Sequence, residues 1–174
     1  MTNKLLDLSR RKFVIGSATG SAGLSLGFGL ATRNSHAAHH ADGAKTEVDA
    51  WVLIAPDDTV TIRIVRSEMG QGTLTGLAQM VADELDADWS KVTTEQPTPG
   101  QNVARDRVWG SFSTGGSQGI RASQQYVREG GATARALLIE AAANEWGGPA
   151  SECTASESVI THKSSGRKTT YGKV

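Results

Sequence analysis

Thr59-Val60-Thr61-Ile62-Arg63-Ile64-Val65-Arg66, then Ser67-Glu68-Met69-Gly70-Gln71-Gly72, then Thr73-Leu74-Thr75-Gly76-Leu77-Ala78-Gln79-Met80-Val81-Ala82-Asp83-Glu84-Leu85-Asp86, is the stretch that decides the fold. The first segment alternates β-branched apolar with polar residues at period two, the pattern of a half-buried strand. The last places Leu74, Leu77, Ala78, Val81 and Leu85 on one helical face, with Asp83, Glu84 and Asp86 expected toward water. The change of period across a tight glycine-bearing loop predicts a strand–loop–helix unit.

Outward from this unit, residues 50–54 read as a short apolar strand. The Pro56-Asp57-Asp58 turn folds that strand into a hairpin with the alternating one. Downstream, Trp89-Ser90-Lys91 is a connector and residues 92–96 a further strand. Residues 97–106 are expected to be a loop. Residues 108–119 form a second loop dense in glycine and hydroxyl groups, and a long helical pattern covers residues 120–146. Gly130-Gly131 is expected to kink or split that helix. Residues 159–161 and 168–171 suggest two strands around the Ser164-Ser165-Gly166 turn. These elements predict an α+β domain, a mixed sheet with hairpins covered by helices. The sequence stops at Tyr171-Gly172-Lys173-Val174 without a capping signal, which reads as an interruption.

Upstream, Ser9-Arg10-Arg11-Lys12-Phe13-Val14 precedes a modest apolar run broken by glycines and hydroxyls. Asn34-Ser35-His36-Ala37 follows, with small residues where a signal peptidase reads. Residues 1–37 therefore read as a twin-arginine signal peptide, and residues 38–49 as a linker. Residues 50–174 form the domain. The export route implies a periplasmic protein that folds before transport, commonly around a cofactor. The apolar run is too weakly hydrophobic for a membrane anchor to be the preferred reading.

Composition excludes several classes. Lysine plus arginine and aspartate plus glutamate each number 18, so no net charge draws the chain to nucleic acid or an anionic membrane. Cys153 is the single cysteine, which rules out an internal disulfide or a cysteine-ligated iron–sulfur centre and suits a small buried residue. His36, His39 and His40 cluster in a polar segment and His162 stands alone; none has partners at metal-ligand spacing.

Chemistry concentrates in the two loops. Each leads from an extended segment into a helix, whose first N–H groups lack internal partners and favour anions. In the first loop, Gly70 and Gly72 allow close backbone approach, and Gln71 offers an amide to the edge of a heterocycle. In the second, Ser113, Thr114 and Ser117 offer hydroxyls beside Gly115 and Gly116. Such loops suit an organic cofactor with a heterocycle at one end and phosphate at the other. Plain strand-to-helix turns remain an alternative on local pattern alone. Neither loop has the dinucleotide fingerprint or the lysine of a phosphate-binding P-loop.

From Ala50 onward the chain resembles the start of the molybdenum-binding large subunit of the xanthine dehydrogenase/aldehyde oxidase family, in particular the exported isoquinoline 1-oxidoreductase beta-subunit branch. The resemblance rests on Ala50-Trp51-Val52-Leu53-Ile54-Ala55-Pro56-Asp57, Ser67-Glu68-Met69-Gly70-Gln71-Gly72-Thr73, Val81-Ala82-Asp83-Glu84-Leu85, Asp88-Trp89-Ser90-Lys91-Val92, Ser113-Thr114-Gly115-Gly116-Ser117, Gly131-Ala132-Thr133-Ala134-Arg135 and Pro149-Ala150-Ser151-Glu152-Cys153. It implies a partial molybdopterin-binding domain. Gly70, Gln71 and Gly72 would contact the pterin–dithiolene end, and Ser113, Thr114, Gly115, Gly116 and Ser117 the pterin and phosphate region. Glu68 would fix the first loop rather than transfer protons. The implied cofactor is molybdopterin in its cytosine dinucleotide form, shared with the rest of the subunit. The implied substrates are aldehydes or N-heterocycles. The implied partners are an iron–sulfur small subunit, a chain supplying the rest of the large subunit, and a membrane cytochrome c. The Gly-Val-Gly-Glu segment that carries the family's general base is absent from this sequence, as is its Phe-Gly-Gly loop. No catalytic residue is therefore assigned, and a non-catalytic cofactor-binding or assembly module, or a vestigial fragment, is the alternative.

Overall fold

The computed structural model describes residues 45–174. The segment read as a signal peptide, the first part of the segment read as a linker, and His36, His39 and His40 lie outside the described residues. Four strands form the first sheet: β1 (Thr46–Glu47), β2 (Val52–Ile54), β3 (Val60–Arg63) and β4 (Val92–Glu95). Their order is β1-β2-β3-β4, antiparallel between β1, β2 and β3 and parallel between β3 and β4. The expected hairpin is present, with Val52 opposite Ile62 and Ile54 opposite Val60. Strand β1 falls inside the segment expected to be a linker. Two ion pairs hold it there: Glu47 accepts from Arg63 Nη1 at 2.7 Å and also pairs with Arg105. Such long-range pairing has no local pattern in the sequence.

Parallel pairing of β3 with β4 requires a crossover, and helix α1 (Thr73–Leu85) supplies it. Beyond β4 comes a short helix, α2 (Pro99–Ala104), where the sequence had predicted only loop. Thr98 caps it by accepting from Gln101 N, and Gln101 answers by accepting from Thr98 N, with proline in the first turn. That capping box is legible in Thr98-Pro99-Gly100-Gln101 once it is looked for.

Helix α3 (Gln124–Trp146) runs uninterrupted through Gly130-Gly131. These glycines mark close packing rather than a break. A Cβ on Gly131 would stand 2.5 Å from the Val81 carbonyl oxygen of α1, and one on Gly130 would stand 2.8 Å from the Trp51 ring. Glu84 and Asp86, expected to face water, are half-buried and paired with Arg128 and Arg135 of α3 at 2.9 and 2.6 Å.

A second, three-stranded antiparallel sheet closes the chain: β5 (Cys153–Ser156), β6 (Val159–His162) and β7 (Lys168–Thr170). Its first strand was not anticipated, and Cys153 is buried there as a free thiol. The core gathers Val52, Val60, Ile62 and Ile64 from the first sheet, Leu77, Val81 and Leu85 from α1, Val127, Ala134 and Leu138 from α3, and Ile160 from the second sheet. Tyr171 ties the last strand's exit to the end of α1, donating its buried hydroxyl to the Leu85 carbonyl at 2.6 Å. Among the described residues no helix is long and apolar enough to cross a membrane.

Candidate functional site

The strand–loop–helix unit puts Ser67 to Gly72 at the carboxyl end of β3 and at the amino end of α1, the position where open α/β sheets place ligands. Glu68 shapes this loop. Its carboxylate accepts from Gly70 N at 2.7 Å, Gly72 N at 3.0 Å and Leu74 N at 2.9 Å. Those bonds, led by the one from Leu74, hold its carboxyl below the usual glutamate range. Glu68 is thus spent on backbone donors, as a loop-fixing role requires. Gly70 and Gly72 both have left-handed backbones, with φ of 91° and 77°, which a side chain adopts only with strain.

Gln71 is also turned onto its own loop. Its Oε1 accepts from Met69 N at 2.6 Å and its Nε2 donates to the Ser67 carbonyl at 2.8 Å. One amide hydrogen and one oxygen lone pair remain for a ligand.

Three approaches bring the second loop against the first. Ser67 N donates to Thr114 Oγ1 at 3.0 Å. Gly119 lies so near Thr73, the first residue of α1, that a Cβ there would meet Thr73 Oγ1 at 2.9 Å. Gly76 lies equally close to Ile120, whose Cδ1 would be 3.1 Å from an added Cβ. Between the loops is a cavity of about 430 Å³, lined by Gln71, Thr114, Gly115, Gly116 and Ser117, together with Met69, Thr73, Gln118, Gly119 and Ile120. Five of the eight residues singled out in the sequence therefore line one cavity. Gly70 and Gly72 flank Gln71 in the loop. Ser113 lies behind the wall, its carbonyl held by Arg66.

The wall is rich in donors. Among the described residues, the backbone N–H groups of Thr114, Gly115, Gly116 and Ser117 have no hydrogen-bond acceptor. Gly116 and Ser117 are consecutive left-handed residues, with φ of 57° and 55°. Successive free N–H groups in such a turn are an anion-binding arrangement. A ring edge on one side and an anion on the other are what the two walls can hold. Among the described residues, the cavity lining holds no carboxylate.

A larger hollow of about 610 Å³ lies beside Arg66, between Trp51, Trp109 and Tyr126. Of its carboxylates, Asp49 already accepts from Trp51 N and Val52 N, and burial pushes its carboxyl up. It lacks a run of free N–H groups, and volume alone does not make it the better candidate. His162 is engaged with Glu152 Oε2 at 3.1 Å and Ser165 Oγ at 2.7 Å, and no three-residue metal cluster exists among the described residues. Sequence reasoning missed Thr73 and Gly119 because their role is close approach across the chain, and Arg66 because its partners Ser113 and Ser123 stand 47 and 57 residues further along.

Residues 3–174 match the model of a molybdopterin cofactor-binding domain. The chain is 34% identical over 173 residues to a membrane-bound aldehyde dehydrogenase [pyrroloquinoline-quinone] of Gluconacetobacter polyoxogenes, covering 97% of this chain and 21% of that protein. It is likewise 34% identical over 173 residues to the isoquinoline 1-oxidoreductase subunit beta of Brevundimonas diminuta, covering 96% and 22%. The chain thus spans about one fifth of the length of these curated relatives. Among solved structures, quinoline 2-oxidoreductase from Pseudomonas putida 86 aligns at TM-score 0.45 and 17% identity, over 70% of this chain and 15% of that one. A Cu,Mo-CO dehydrogenase aligns at TM-score 0.46 and 20% identity, also over 70% and 15%.

Proposed function

We propose a function from one premise: this chain belongs to the molybdopterin cofactor-binding domain family. In this reading the chain supplies two loops that cradle the organic part of the cofactor, within a molybdenum hydroxylase subunit that oxidises aldehydes or N-heterocycles. The run from Thr114 to Ser117, whose four N–H groups have no acceptor among the described residues and which lines a cavity with Gln71, is the observation that carries it.

The residues fit such a group. A Cβ on Gly70, Gly72 or Gly115 would meet nothing within 4 Å, so bare backbone lines open space that side chains would otherwise fill. Gly70, Gln71 and Gly72 would hold the pterin end. Thr114 to Ser117 would hold its phosphate region, in the cytosine dinucleotide form, with Ser113 supporting them. Bound there, the cofactor supplies two-electron oxidation chemistry at molybdenum. This chain's own part is binding and orientation. Glu68 keeps the first loop in shape, and the contacts of Ser67 with Thr114 and of Thr73 with Gly119 keep the two walls together. The base for the reaction, the rest of the subunit, an iron–sulfur small subunit and a membrane cytochrome c come from elsewhere. Export by the twin-arginine pathway, directed by Arg10 and Arg11, places the assembly in the periplasm.

A second reading is a cofactor-binding or assembly module without catalysis of its own. The engagement of Glu68 with three backbone donors favours it for this chain taken alone.

The test is purification of the chain with its partners from its native periplasm, with molybdenum, pterin and quinone measured on the same fraction. Molybdenum and pterin in equal amounts, with an iron–sulfur chain present, support the hydroxylase reading. Molybdenum and pterin without substrate oxidation support the module. Pyrroloquinoline quinone in place of both overturns the molybdopterin assignment.

A further inference from the structure

Arg66 is 8% exposed and makes no ion pair with any carboxylate of the described residues. Burying a guanidinium against neutral partners alone is costly, and native chains seldom accept that cost without a use for the charge. Its partners show where the charge is spent. Nε donates to Ser123 Oγ at 2.9 Å, at the amino end of α3, and Nη1 donates to the Ser113 carbonyl. The next residue, Ser67, donates its N–H to Thr114 Oγ1. Arg66 and Ser67 thus fasten the segment after β3 to Ser113 and Thr114 of the second loop.

Resting on the cofactor reading above, we infer that Arg66 is the positioning residue of the anion-binding wall. Its guanidinium pins the Ser113 carbonyl and so orients the Ser113–Thr114 peptide, which puts its positive charge on the far side of that peptide from the Thr114 N–H. Hydrogen bonding to that carbonyl polarises the peptide, which makes the Thr114 N–H a stronger donor. The charge needs a countercharge, and the ligand's anionic group supplies it from the cavity side. Asp49 and Glu129 line the neighbouring hollow with Arg66, but neither makes a contact ion pair with it. A neutral side chain at this position would leave the loop in place through Ser67 and Thr114, with a weakened preference for anions.

Binding of inorganic pyrophosphate to the cofactor-free intact chain, measured by calorimetry at fixed salt, tests this together with the pterin content of the chain isolated from its host. Arg66→Met is expected to weaken pyrophosphate binding by about tenfold or more, the scale of a lost charge-assisted hydrogen bond. Arg66→Lys, which keeps the charge and loses the fork, is expected to fall between, and pterin content to follow the same order. A folded Arg66→Met chain with wild-type affinity overturns the inference, whatever its unfolding midpoint. If Arg66→Met does not fold, Ser123→Ala decides. It leaves the charge but frees one end of the guanidinium, and a loss of a few fold supports the role whereas unchanged affinity overturns it. Wild-type chain that carries pterin while both arginine variants bind pyrophosphate normally overturns the role of Arg66 alone. Wild-type chain with neither pterin nor pyrophosphate affinity overturns the cofactor reading with it.

Discussion

Gly131→Ala is expected to destabilise the fold, although alanine is the better helix former. The added Cβ would sit 2.5 Å from the Val81 carbonyl oxygen, 3.0 Å from Glu84 Cβ and 3.2 Å from Val81 Cα. An ordinary C···O approach is about 3.3–3.6 Å, so α1 and α3 must part by about 0.8–1.1 Å at their crossing. The clashing atom is backbone and cannot rotate away. A gap of that size forfeits about a quarter to a half of the dispersion energy of the atoms around it, among them Val81 and Ala134 in the core. Overpacking of this kind costs about 1–3 kcal/mol, and its upper end applies to a rigid partner. The helix propensity of alanine returns about 1 kcal/mol. The net loss is about 2 kcal/mol, or about 6–10 °C in the unfolding midpoint of a domain this size. Urea unfolding of the intact chain, followed by tryptophan fluorescence, measures it. Gly100→Ala is the control: its Cβ would meet only Thr98 Oγ1 at 3.9 Å, and no loss is expected. A Gly131→Ala chain as stable as wild type would refute the close crossing and, with it, the helix packing that sets the amino end of α1.

Other consequences follow from the same contacts. Glu68→Ala removes the acceptor of three loop N–H groups and is expected to lower pterin content severalfold with little change in unfolding midpoint; equal pterin content in the two chains would remove Glu68 from the loop's architecture. Tyr171→Phe deletes a buried hydroxyl bonded to Leu85 and should cost about 1–2 kcal/mol in urea unfolding, with a neutral result showing that the bond adds nothing net. Arg105 first, and then Arg63, hold the Glu47 carboxyl at about 2, below its ordinary value of 4.5. The folded state therefore binds this proton more weakly than the unfolded state. The stabilisation is complete above the ordinary value and is lost as pH falls from there toward about 2. Acid titration of wild type against Glu47→Gln, which lacks that term, should show the difference closing across this window; parallel curves would mean that the clasp is not electrostatic.

How much was legible in the sequence depended on whether the cause was local. The period change from Thr61-Ile62-Arg63 to Leu77, Val81 and Leu85 is local; it located α1 to within a residue and β3 to within three, the strand ending at Arg63 rather than Arg66. The eight candidate site residues also came from local chemistry, and five of them meet at one cavity because Ser67 bonds Thr114 and Gly119 packs against Thr73. The misses share a different cause. Gly130-Gly131 looked like a break because propensity counts only the helix itself, whereas Trp51 and Val81 lie eighty and fifty residues away in the chain and need the space. Strand β1 depends on Arg63 and Arg105, and the burial of Arg66 on Ser113 and Ser123. None of these pairings leaves a periodic trace.

The central claim is that the bare backbone of the second loop is the surface against which the cofactor rests. Gly115 tests it most directly, because it has no positive φ and its Cβ would enter open space, so a larger residue fits the fold without strain. Gly115→Val should therefore leave the unfolding midpoint unchanged while filling the cavity. The measurement is molybdenum and pterin per chain for Gly115→Val and wild type, each isolated with its partners from the native host. A fall of about tenfold or more in both, at equal stability, is what the account requires. Full occupancy in the stable variant would contradict it.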